Sequence, residues 1–170
     1  KHNPELLRAI AVAELERADI VVVGSGTGAD DLAVDTTGPQ NLKVLPVQSI
    51  EDFPEVLASA DILIAVIEAD AGEYSVPSKV LSYLCAGRPI VLAAPPENLA
   101  SRIVTDAGAG IVVDPEDTEA FVNAIKHFLD DNNAATSASR ASRKYAEETF
   151  DVVHIADQFE RAIVKLGNAN

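Results

Sequence analysis

At 170 residues, 48% of them hydrophobic and 5% aromatic, the chain has enough material for one domain with an aliphatic core. Its 27 acidic against 13 basic side chains give a formal charge of -14, and with no Lys/Arg cluster to offset that field, nucleic acid and anionic lipid are disfavoured as partners. The single cysteine, Cys85, excludes an intrachain disulfide, and no apolar run nears the roughly 20 residues of a transmembrane segment.

Asn3-Pro4 supplies a capping side chain and a first-turn proline, which predicts a helix to about Arg17 carrying Leu6, Leu7, Ile10, Ala13 and Ala18 at helical spacing. The run DIVVV follows and ends in GSGTG, the pattern of a strand buried on both faces. ADDLAVDTTGP leaves room for about two helical turns before Gly38-Pro39 breaks it. NLKVL, DILIAVI, PIVLAA and GIVV repeat the strand pattern. Between them FPEVLASA, PSKVLSYLCAG and NLASRIVTDAG read as helices, with Cys85 a small buried hydrophobe within the second.

From Asp117 to about Asp130, Phe121, Ile125, Phe128 and Leu129 form one apolar helical face. DDNNAATS reads as a loop, and two further helices are predicted around Ser139–Thr149 and Asp151–Leu166. Strands alternating with helices predict an α/β fold, Rossmann-like, with a doubly wound parallel sheet covered on both faces and no internal domain boundary. The alternation opens on a helix, whereas the first strand of such a half-domain lies centrally, beside the topological switch point. Together with the absence of methionine, this predicts a first strand upstream of Lys1.

Two turns compete as phosphate sites. Gly24-Ser25-Gly26-Thr27-Gly28-Ala29 follows the VVV strand and fits the dinucleotide fingerprint with Ala in the last place. Its context fails twice: the following helix is short, and NLKVL ends in Pro46-Val47-Gln48, with no carboxylate for a ribose. A tight strand-to-helix turn is the better reading. The second candidate is Gly72 to Lys79, after DILIAVI. Pro77 suits a first helical turn, Ser75 or Ser78 can satisfy free N–H groups, and Lys79 adds a positive charge. An open α/β sheet places its ligand at such a strand end, and free amides at a helix start favour a diphosphate. Ordinary capping with a solvated lysine is the structural alternative.

The stretch VPSKVLSYLCAGRPIV, with VLASADILIAVIEADAGEYS before it, resembles the donor-binding domain of the family-4 retaining glycosyltransferases (glycosyl transferases group 1). The similarity is greatest to the branch that builds bacterial surface polysaccharides. It extends through Leu42 to Leu45, Phe53 to Ala60, NLASRIVTDAGAGIVVD and EDTEAFVNAI, and KHNPELL near the start is similar as well.

That resemblance implies a GT-B fold in which this chain is the C-terminal, nucleotide-sugar-binding half, with a UDP-linked sugar the expected donor. An acceptor-binding N-terminal domain of the same polypeptide would precede it, so the chain alone is expected to be inactive. It implies no cofactor, no metal, a polysaccharide or lipid-linked acceptor, and a cytoplasmic location, in reach of the inner membrane face through the other domain. Ser75, Val76, Pro77, Ser78 and Lys79 match the diphosphate loop and helix start. Pro46, Val47, Gln48 and Ser49 match the loop that touches the base, and Gly24, Ser25 and Gly26 the turn facing the same cleft.

Many members carry two glutamates in this region, the second binding ribose. Here that second position is Ser82, which cannot grip two hydroxyls as a carboxylate can. Glu73 is the candidate for the first carboxylate, after a one-residue shift. Lys1 and His2 are the nominees for the basic groups of the family's first strand–helix loop.

Other chemistry finds less support. His2, His127 and His154 have no metal-ligand spacing, and His127 borders the Phe121/Ile125/Phe128 stripe. No serine sits in a G-x-S-x-G elbow, and Asp30-Asp31 lack the companions of a phospho-acceptor receiver. Asp114-Pro115-Glu116-Asp117 reads as a turn and helix cap. A nucleotide-sugar epimerase would need cleft carboxylates with a histidine, which are not found. A non-catalytic nucleotide-binding module stays open because of Ser82.

Overall fold

The computed structural model describes residues 18–34, 41–68 and 78–167. The helix predicted ahead of Ala18 lies outside them. Among the described residues the order is β1 (Ile20–Val23), α1 (Thr27–Val34), β2 (Leu42–Leu45), α2 (Phe53–Ser59), β3 (Leu63–Val66), α3 (Ser78–Ala86), β4 (Ile90–Ala93), α4 (Leu99–Ala107), β5 (Gly110–Val113), α5 (Thr118–Asp130), α6 (Asn132–Thr149) and α7 (Val152–Gly167). Every strand pairing is parallel, β1 with β2 and β4 between β3 and β5. The α/β alternation is the one predicted.

β4 shows why a continuous apolar run marks a central strand. Ile90, Val91, Leu92 and Ala93 are all completely buried, and their side chains alternate between two clusters. Val91 and Ala93 meet Phe121, Ala124, Ile125 and Phe128 of α5. Ile90 and Leu92 meet Val80 and Leu84 of α3 and Ala100 and Val104 of α4. Helices therefore cover both faces of this ladder. β1 differs from expectation. Ile20 is buried, but Val21 and Val23 are 49% and 37% exposed, so this strand is not covered on both faces.

Cys85 is exposed, not buried. The inward positions of α3 are Val80 and Leu84, one helical turn apart, and Cys85 stands about 100° further round. The segment DDNNAATS is not a loop. Asp131 caps α6 by accepting hydrogen bonds from Asn133 N and Ala134 N at 2.9 and 3.0 Å, and the helix runs unbroken to Thr149. Its inward face is made of small residues, Ala138, Ser142 and Ala146, at four-residue spacing. That face lacks the large apolar side chains by which a buried helix is recognised, yet it lets the backbone approach closely.

Ser142 sits where α6 passes the amino ends of β4 and β5, its hydroxyl 3.0 Å from the Arg88 carbonyl and 3.3 Å from that of Ala109. Ala138 belongs to the cluster on one face of the ladder and Ala146 to that on the other.

Asp131 also closes α5, its N–H donating to the His127 carbonyl at 2.9 Å. Its carboxylate satisfies two orphan amides and faces the positive end of α6. Asp131→Ala should cost about 1 kcal/mol and Asp131→Asn a few tenths, read as shifts in urea midpoint. Equal, negligible shifts for both would show that the cap does not hold this corner.

Candidate functional site

The β1–α1 turn is built by its glycines. Gly26 has φ of 103°, a left-handed conformation that a β-carbon disfavours. In that posture its carbonyl accepts from Ala29 N and Asp30 N, both at 2.9 Å, and starts α1. Gly24 N donates to the Leu45 carbonyl at 3.1 Å, which ties the turn to the carboxyl end of β2. The two loops thus leave the pair side by side.

Between them lies an open cavity of about 490 Å³, lined by Gly24, Ser25, Ala29, Asp30, Val44, Leu45, Pro46 and Val47. Gly24 and Ser25 of the predicted cleft turn are brought together there with Pro46 and Val47 of the predicted base loop. Val47 is 64% exposed. Gln48 and Ser49 fall beyond the lining and serve the loop itself. Gln48 Nε2 donates to the Pro46 carbonyl at 2.7 Å. Ser49 Oγ lies 2.8 Å from Asp52 Oδ2 and accepts from Asp52 N at 3.1 Å, just ahead of α2.

Ala29 belongs to the first candidate phosphate turn, whereas Asp30, Val44 and Leu45 were not read as lining residues. The usable signal was position: the last residues of a strand and the first helical turn after a glycine bend border any ligand held at that edge.

The second predicted element is partly described. Ser78 and Lys79 are the first residues of α3, both exposed, after the carboxyl end of β3. Glu73, Ser75, Val76 and Pro77 lie outside the described residues, as do Lys1 and His2. Ser82 stands one turn into α3 and its hydroxyl donates to the Ser78 carbonyl at 3.1 Å. Asp114 and Asp117 are turn and cap residues, accepting from Glu116 N and Ala120 N at 2.8 Å each.

α3 is anchored by Tyr83, whose hydroxyl donates to the Ile64 carbonyl of β3 at 3.2 Å. Burial strips water from the phenol and raises its pKa above the ordinary 10.0, because the charged phenolate is the disfavoured form. With the folded pKa above the unfolded one, this contribution to stability is fully present below about pH 10 and is lost as pH rises through the folded value. Urea midpoints measured from pH 8 to 11 should fall less steeply for Tyr83→Phe than for wild type. Parallel curves would show that the phenol is not desolvated.

Residues 2–131 match the family of glycosyl transferases group 1. The chain belongs to that family. No curated protein matches the chain. Among solved structures it superposes on the sucrose-phosphate synthase of Thermosynechococcus elongatus with a TM-score of 0.74 at 18% identity, over 98% of this chain and 43% of that one. Anabaena Alr3699/HepE, solved in complex with UDP, gives 0.71 at 19% identity, over 94% and 44%. The C-terminal domain of the group 1 protein LpcC from Francisella tularensis gives 0.68 at 13% identity, over 88% and 79%.

At these identities the likeness is one of fold, that of the Rossmann-like C-terminal half of a GT-B glycosyltransferase. This group 1 chain spans less than half the length of the synthase and HepE chains. Among the described residues no helix is long and apolar enough to cross a membrane.

Proposed function

We propose that this chain is the donor-binding half of a retaining glycosyltransferase that moves a sugar from a nucleoside diphosphate, UDP first among them, to a polysaccharide or lipid-linked acceptor. The observation that carries the reading is the cavity at the carboxyl ends of β1 and β2, where the Gly24–Ser25 turn meets Pro46 and Val47. An open α/β sheet binds ligands outside the carboxyl ends of its strands. Membership of glycosyl transferases group 1 supports the reaction class. The UDP complex of HepE, a structure of the same fold, supports the base.

On this reading the base lies against Val47 and Pro46, and the diphosphate takes the free amides at the start of α3. That helix end is positive and Lys79 adds a full charge, so charge building on the leaving diphosphate is met by preorganised groups rather than by water. The acceptor and its binding groups come from another domain of the polypeptide, and the catalytic groups, Glu73 being one candidate, complete the site between the two. No metal is needed for these steps.

Calorimetric titration with UDP, GDP, UDP-glucose and NAD tests it. UDP and UDP-glucose should bind, and Lys79→Ala should weaken them by about 10- to 100-fold, the usual worth of a charged contact. Binding of NAD without UDP would overturn the proposal. Ser82 favours one second reading. Its hydroxyl donates to the Ser78 carbonyl and leaves a single oxygen to accept from ribose where a carboxylate offers two, a weaker grip that a nucleotide-binding module without catalysis would tolerate. Tight UDP binding with no sugar transfer by the whole polypeptide would select that module.

A further inference from the structure

The Asp30-Asp31 pair has no part in the phosphate chemistry at α3, yet the fold brings Asp30 to the candidate site. Asp30 lies in the first turn of α1, where its backbone N–H donates to the Gly26 carbonyl at 2.9 Å. Leu32, two residues on, is buried and fixes which side of α1 faces the fold. Residues two apart on a helix point about 200° apart. Asp30 accordingly faces away from that core, is exposed, and lines the cavity at the carboxyl ends of β1 and β2. It is the one ionisable side chain among the described residues that line it.

The sides of that cavity differ in chemistry. Val44 to Val47 form an apolar wall suited to the face of a base, whereas the β1–α1 side offers Gly24, Ser25 and Asp30. A carboxylate here repels a diphosphate. It also fits poorly on the edge of uracil, whose single ring N–H stands between two carbonyl oxygens. A ribose suits it better. The 2′- and 3′-hydroxyls are neighbouring O–H donors, and a carboxylate presents two oxygens to accept from them. At about 490 Å³ the cavity has room for sugar and base together.

We propose that Asp30 is the ribose-binding residue of this chain, its carboxylate accepting from the 2′- and 3′-hydroxyls of a nucleotide whose base lies against Pro46 and Val47. The inference rests on the donor-binding reading of the cavity and deepens it. It answers the departure at position 82, where the serine hydroxyl donates to the Ser78 carbonyl and offers ribose one accepting oxygen. In dinucleotide-binding folds a ribose acid follows the glycine turn by about 20 residues. Here that distance leads to Val44 and Leu45, at the apolar end of β2, and the acid comes from α1 instead. Carried on a helix rather than a loop, the carboxylate is held in a set direction.

Titration calorimetry with UDP and 2′-deoxy-UDP tests it on the wild-type chain, Asp30→Asn and Asp30→Ala. Wild type should bind UDP about 10-fold or more tightly than the deoxy nucleotide, which lacks one hydrogen bond to a charged acceptor. Asp30→Ala should bind the two within about twofold of each other, with most of the loss falling on UDP. Asp30→Asn, which keeps one accepting oxygen without the charge, should fall between. If Asp30 serves only as the acidic complement to the positive start of α1, both nucleotides should weaken equally in both variants, and that result would overturn the inference. So would equal binding of the two nucleotides by wild type, or a preference for UDP that survives Asp30→Ala. No binding of UDP by wild type would instead overturn the donor-binding reading itself, and this inference with it.

Discussion

Gly110→Ala is expected to lower the melting temperature by about 10 °C or to leave the chain unfolded. A β-carbon built on Gly110 overlaps the Ile90 carbonyl oxygen and lies 2.7 Å from its carbon. Gly110 is the register partner of Ile90 at the start of the β4–β5 pairing. The obstacle is backbone, so no rotamer change relieves it, and β5 must move away from β4. All four residues of β4 are completely buried, and the strand carries both hydrophobic clusters, so there is no slack on its other side. Overpacking usually costs about 1–3 kcal/mol, and a backbone overlap belongs at the top of that range or above. A domain of this size loses roughly 2–4 °C per kcal/mol. Circular dichroism melts of wild type and Gly110→Ala would show it, and a shift under about 2 °C would mean that the strands separate freely there.

Phe121→Ala should cost about 3–5 kcal/mol, a large share of the 5–15 kcal/mol that holds a typical domain. Phe121 is fully buried and ranks first by volume among the side chains so enclosed. It projects from α5 against Val91 and Ala93 of β4, with Ala124, Ile125, Phe128 and Ala138 in the same cluster. With only 5 Phe, 3 Tyr and no Trp in the chain, few rings are available to close the hole by rearrangement. Phe121→Leu keeps most of the volume and should cost about 1.5 kcal/mol or less. Chemical denaturation of the pair separates the two outcomes. Equal losses for Ala and Leu would mean that ring shape, rather than volume, is what this site needs.

The strands and most of the helices were legible because their signals are local. DILIAVI and PIVLAA announce buried parallel strands by apolar continuity, and the α5 stripe of Phe121, Ile125 and Phe128 by its period. The start of α6 was not legible. Asn132 to Ser137 look like loop chemistry, and what makes them helical is the pair of amides held by Asp131 together with a tertiary surface that wants small residues. Cys85 failed for a related reason. Hydropathy counts a thiol as apolar, but the helical phase set by Val80 and Leu84 turns it outward.

At the cleft, the glycine turn and the Pro46–Val47 loop were readable as neighbours through the family resemblance. Composition alone had favoured a plain turn at Gly24–Gly26. Val44 and Leu45 escaped notice because strand residues are read for the core they fill rather than for the rim they leave exposed.

The path of α6 has a consequence for how the domain comes apart. A sheet covered on two sides is, in principle, free to lose one layer while keeping the other. Here Ala138 is committed to one side, Ala146 to the other, and Ser142 between them is fastened at the foot of β4 and β5. Peeling either layer pulls on the same rod, so the β3–β5 half is built to melt as one cooperative unit. The fastening lies at the amino ends of these strands, opposite the carboxyl ends at which the β1–β2 cavity opens.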